Sequence, residues 1–139
     1  MFFSKKRKKE KMKEAAVNGV ISIFGDNLRA AGLDRSYLPE IKRDKELIGS
    51  LYGFSISAAD VYGEDVDGMS TFIIAYSKIF GVTDPKEIEV LAHDALFDDE
   101  VNKEAEKTFN YLLNIADSGL SQKEAMLFMR DSMAKYAIK

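Results

Sequence analysis

The sequence predicts an all-α fold: a single compact bundle of about five to six helices with a basic N-terminal arm. Three observations carry this expectation. Apolar residues recur at helical spacing along most of the chain, capping patterns precede two of the periodic segments, and no segment alternates apolar and polar residues as a half-buried strand would. At 139 residues the chain has the length of one ordinary domain. Its 46% hydrophobic and 31% charged content suits a folded globular core rather than a disordered chain.

The first helix is expected from about Lys8 to Ala31, with Val17, Val20, Ile21, Phe24 and Leu28 on one face and Gly32 as a left-handed stop. Pro39 suits a first helical position, so a second helix is expected to open there and to run through Leu47, Leu51, Phe54, Ala58 and Val61 to Gly63. Within it, Gly49, Gly53 and Ser57 lie four apart. Between bilayer-spanning helices that spacing allows close dimerisation. Here Lys45, Glu46 and Asp60 flank a short apolar run, so a close crossing inside a bundle is expected instead.

A third helix is expected from about Gly68 to Phe80, burying Met69, Phe72, Ile73, Tyr76, Ile79 and Phe80 and ending at Gly81. Asp84 as N-cap, Pro85 at the first position and Glu87 at the third open the fourth. Its stripe is Ile88, Leu91, Ala92, Ala95 and Leu96. The fifth is expected over about Asp99 to Asp117, with Val101, Ala105, Phe109, Leu112 and Ala116 inward. Ser121 and Glu124 form a capping-box pair for a last helix reaching Tyr136. Along it Met126, Met129 and Met133 read as core filler. The organisation is thus a basic arm over residues 1–13 and a helical domain over 14–139.

Several chemistries are excluded by residue type. The chain has no cysteine, so it makes no disulfide, thiolate metal site or cysteine nucleophile, which suits a reducing cytoplasm. No stretch reaches the about 18 apolar residues of a membrane span. The run from Ala15 to Gly25 contains Asn18, Ser22 and two glycines. It reads as an amphipathic helix and not as a signal peptide. His93 is the only histidine, so the His93-Asp94 pair cannot supply an HD-type metal site, and the Glu-x-x-His pairs of a di-iron bundle are missing. On the wheel His93 falls opposite the buried stripe, where it is expected to be solvated or to face a partner. No glycine-rich phosphate loop is present. The stretch Gly53 to Ser57 begins like a nucleophile elbow but lacks its final glycine. Ser132 and Lys135 lack the companion motifs of penicillin-binding enzymes.

Residues 58–68, AADVYGEDVDG, are the stretch that most resembles a site, with Asp60, Glu64, Asp65 and Asp67 within eight positions. Aligning Asp65, Asp67 and Gly68 to the third, fifth and sixth positions of a calcium-binding EF-hand loop places Gly63 and Ile74 where acidic ligands belong. A turn between helices, with the acids as caps, accounts for the stretch better.

Charge is the main functional clue. Within residues 1–14, seven bases (Lys5, Lys6, Arg7, Lys8, Lys9, Lys11, Lys13) against Glu10 and Glu14 give +5, leaving −8 for the other 125 residues. Residues 58–106 hold thirteen acids and three bases. Five consecutive cations surround a helix rather than mark one face, so a solvated arm or frayed helix start is expected. Phe2, Phe3 and the seven cations are the candidate contact for an anionic surface or a partner. The acidic body disfavours nucleic acid. The expected function is that of a non-enzymatic binding module without catalytic residues, metal or cofactor, acting on another protein or on a second copy of itself. The alternatives are peripheral attachment to an anionic membrane surface through the arm, and an enzyme or metal-binding protein with an atypical carboxylate site at 60–67.

Overall fold

The structure, a computed structural model, describes residues 2–30 and 44–117, with side chains over 7–25 and 44–114. Five helices fill these residues: α1 (Phe2–Ala30), α2 (Lys45–Asp60), α3 (Gly68–Phe80), α4 (Pro85–Phe97) and α5 (Asp99–Asp117), with one turn of 3₁₀ helix at Gly63–Asp65. They form an all-α bundle, and no strand occurs among the described residues. No described helix is long and apolar enough to cross a membrane.

α2 is the central helix, packed against α5, α3 and α1. Its residues Leu47, Ile48, Leu51 and Phe54 meet Phe72, Ala75 and Tyr76 of α3, Val101 and Leu112 of α5 and Val20 and Phe24 of α1 in one core. Tyr52 meets Phe72 edge-on at 5.0 Å, which suits the ring quadrupoles. The glycine stripe makes the expected close crossing. A Cβ on Gly49 would lie 2.5 Å from the Val101 carbonyl oxygen, and one on Gly53 would overlap that of Ala105. Hydrogen therefore lets the backbones of α2 and α5 touch. Beside this seam the buried Thr108 hydroxyl donates to Ser50 at 3.4 Å, and the Ser55 hydroxyl donates to the Leu51 carbonyl at 2.7 Å.

Helix ends are set by local chemistry. Asp67 accepts from the Ser70 N–H at 3.0 Å and opens α3. Gly81, at φ 67°, closes α3 in the left-handed conformation, and the Val82 N–H returns to the Ser77 carbonyl. Asp84 accepts from the Lys86 N–H at 3.0 Å, with Pro85 at the first turn of α4. Asp98 is the whole connection between α4 and α5. It accepts from the Val101 N–H at 3.1 Å and pairs with Lys45 Nζ at 2.8 Å, so one carboxylate caps α5 and ties it to the start of α2. The Lys45 ammonium, followed by the Val101 N–H, holds the Asp98 carboxyl below the usual carboxylate range, and Asp98 raises Lys45 in return.

Three expectations change. The helix that carries Leu47, Leu51 and Phe54 opens at Lys45: Asp44 is extended at φ −69°, ψ 124°, and accepts from the N–H groups of Glu46 and Leu47, while the start expected at Pro39 lies outside the described residues. The first helix begins at Phe2, so the basic stretch is its unbroken start. Leu96, expected inside, is 56% exposed. The last helix expected over 121–136, with its methionines, lies outside the described residues, as do the Gly32 stop and the side chains of Leu28 and Ala116.

Candidate functional site

The acidic stretch after α2 is a built turn. Gly63 takes φ 76°, a conformation that its missing Cβ makes accessible, and leads into the 3₁₀ turn. Asp67 is occupied as the α3 cap, accepting from both the N–H and the hydroxyl of Ser70. Asp65 pairs with Lys9 Nζ at 3.4 Å. Asp60 and Glu64 face solvent. Among the described residues no three His, Asp or Glu side chains converge as metal ligands would. The Lys9–Asp65 contact joins the basic stretch to the acidic turn within one chain, a pairing that sequence distance conceals.

That contact also places the basic stretch in the fold. Met12 and Ala16 lie against Ala59, Tyr62 and Val66, so α1 enters the bundle at the end where α2 stops. Arg7, Lys8, Lys9 and Lys11 are exposed, and Met12 is the first residue in the described part of α1 to pack. From Lys9 back to Phe2 the helix continues for about 10 Å at 1.5 Å per residue.

At the opposite end of α2 lies a groove of about 390 Å³. Its apolar lining is Ile48 of α2, Tyr76 of α3, Val82 of the following loop and Leu91 of α4, and its rim carries Lys86, Glu87, Val90 and Asp94. The outer face of α4 continues the apolar surface away from the groove. Val90 is 60% exposed and Phe97 67%. These two are seven residues apart, so they share a face with His93 and Asp94. The His93 ring packs on Phe97 with centroids 4.9 Å apart while the side chain stays 70% exposed, the solvated or partner-facing position expected of it. Leu96 flanks this face. Exposed aromatic and aliphatic side chains beside a concave apolar patch are the composition of a binding surface.

No protein-family model matches the chain, and no curated protein or solved structure gives a significant match.

The site therefore rests on geometry. The candidates read from the sequence, residues 2–13, and the groove on α4 stand at opposite ends of the bundle and are not brought together within one chain. Sequence reasoning missed the groove because its lining comes from positions 48, 76, 82 and 86–94, which no local pattern joins.

Proposed function

We propose that the protein is a non-enzymatic helical binding module of the cytoplasm that engages protein through the groove and outer face of α4. The observation that carries this reading is the exposed apolar pair Val90 and Phe97 on one helix face, continuous with the groove over Ile48, Tyr76 and Leu91. Large apolar side chains gathered at a concavity with a polar rim are what a partner desolvates, and aromatic anchors contribute most of the energy of such contacts. The carboxylates at 60–67 serve as caps and surface charges in this reading.

The test is capture of partners by the tagged full chain, compared with a Val90→Asp, Phe97→Asp variant whose folding is verified by circular dichroism. Loss of a defined set of partners on the variant supports the reading. An unchanged set overturns it.

A second reading, attachment to an anionic membrane surface, draws on another observation: α1 carries its cations to its very start, with Phe2 and Phe3 at the tip. Each cation near anionic lipid contributes about 1 kcal/mol. Cosedimentation with vesicles containing phosphatidylserine, with and without Phe2→Ala and Phe3→Ala, separates this reading from the first.

A further inference from the structure

We propose that the occupant of the α4 groove is the basic N-terminal end of α1 from a second copy of this chain, giving a head-to-tail contact. This rests on the reading of α4 as a protein-binding surface and names the partner.

Charge complementarity is the first argument. Residues 84–100, which build α4 and its flanks, carry seven acids and the single base Lys86, a net −6, while residues 1–14 carry +5. Glu87 and Asp94 stand on the groove rim, and Glu89, Asp99 and Glu100 are exposed nearby on α4 and α5. A cationic helix end approaching this surface is steered to it. A polyanion such as nucleic acid or an anionic bilayer would be repelled by the same surface. Shape is the second argument. The groove is a small apolar concavity ringed by charge, and the sequence at the start of α1 sets two phenylalanines next to a run of cations, the residue types that suit such a concavity and its rim.

Geometry is the third argument, and it requires a second copy. The groove lies at the level of Ile48, whereas α1 enters the bundle beside Ala59, about 17 Å away along α2. From Lys9, fixed on Asp65, α1 runs a further 10 Å or so away from the core. A straight helix cannot bring this end back to its own groove. The complementary surfaces of one molecule thus face opposite ways, the arrangement that generates heterologous contacts, closed into a ring or open as a chain.

The test uses sedimentation velocity on the full chain, at low and at physiological salt. One variant reverses the helix end (Lys5→Glu, Lys6→Glu, Lys8→Glu), sparing Lys9 and its partner Asp65. A second reverses the rim (Glu87→Lys, Asp94→Lys). The expected results are self-association of the wild type that weakens with salt, and about tenfold weaker association for either variant alone. Mixing the two variants should restore association, because the intact helix end of one meets the intact groove of the other. So should combining both sets of reversals in one chain. A Phe2→Ala, Phe3→Ala chain should also associate more weakly while keeping its helix content.

A wild type that is monomeric at all salt concentrations overturns the proposal, and so does a mixture that fails to associate. If the chain is monomeric yet Val90→Asp with Phe97→Asp still loses other partners, the second-copy inference fails while the binding-module reading stands. Binding of the monomer to anionic vesicles, lost on reversal of the helix end, would overturn it in favour of a membrane.

Discussion

Gly53→Ala and Gly19→Ala should move stability in opposite directions. Both glycines lie inside helices, where exchange for alanine raises helix propensity by about 1 kcal/mol. They differ in what the new methyl meets. At Gly53 it would overlap the Ala105 carbonyl oxygen, with Ala105 C and Cα at 3.0 Å, all of it backbone of α5. Relief requires α2 and α5 to separate by roughly 1 Å, because carbon contacts are optimal at about 3.5–4.0 Å. That separation loosens Leu51, Val101 and Leu112, all in the buried core. Overpacking of this kind destabilises by roughly 1–3 kcal/mol, and lost contacts across the widened seam add to it. Set against the propensity gain, Gly53→Ala should destabilise by about 1–2 kcal/mol. For a domain of this length the melting temperature falls by roughly 3–10 °C. At Gly19 the methyl meets nothing within 4 Å among the described residues, so the propensity gain stands alone and stability should rise by about 0.5–1 kcal/mol. Thermal and urea melts followed by circular dichroism measure both. A Gly53→Ala protein as stable as Gly19→Ala would refute the close crossing on which the bundle depends.

Asp98→Asn should destabilise at neutral pH, and the gap from wild type should shrink on acidification. The folded carboxyl lies below its ordinary value of about 4, so its contribution is present above that pH and lost as pH falls through the folded value. Lys45, raised in the fold, keeps its share until strongly alkaline pH. Melts from pH 7 to pH 3 test this, and a gap independent of pH would refute the ion pair. Asp67→Ala removes the α3 cap and should lower stability by about 1 kcal/mol, equally with and without calcium. A large calcium-dependent rise in wild-type melting temperature would instead identify a cation site. Ser77→Ala should raise stability by up to about 1 kcal/mol, because the Ser77 hydroxyl is buried without a hydrogen-bond partner among the described residues. A measured loss would show that the hydroxyl is satisfied.

How far the sequence specifies this molecule depends on how local each determinant is. The third helix is legible residue for residue, since Asp67 and Gly81 act within one turn of themselves. The Asp84-Pro85 start of α4 is legible for the same reason. The start of α2 follows from a local cap that the proline rule does not reveal: an extended Asp44 accepts from the N–H groups of Glu46 and Leu47 and opens the helix at Lys45. The stripe of α4 shows which residues recur, but not how much of that face its neighbours cover. α4 makes only sparse contact with α3, α5 and α2, so Leu96 and Phe97 stay outside. The groove is the least legible feature, being a property of three helices and a loop at once.

The start of α1 breaks the rules that the other helices obey. It has no acidic residue in its first turn, and its cations recur at i, i+3 and i, i+4 near the positive end of the helix dipole. Lys5 with Lys8 and Lys9, and Arg7 with Lys11, are unfavourable by the spacing rules. Only Glu10 and Glu14 give opposite-charge spacings, with Lys6, Arg7, Lys11 and Lys13. Local violations of this kind concentrate where a sequence serves something other than its own fold. The consequence is a pair of effects with opposite sign. Lys5→Glu with Lys6→Gln should relieve the dipole and like-charge conflict without setting a carboxylate four residues before Glu10, and should raise the stability of the monomer by a few tenths of a kcal/mol. The same change removes cations from the end proposed to dock on a second copy, so self-association should weaken. A basic stretch present only to keep the chain in solution would show the first effect without the second. Thermal melts and sedimentation on one pair of proteins therefore separate a solubilising charge from a docking one.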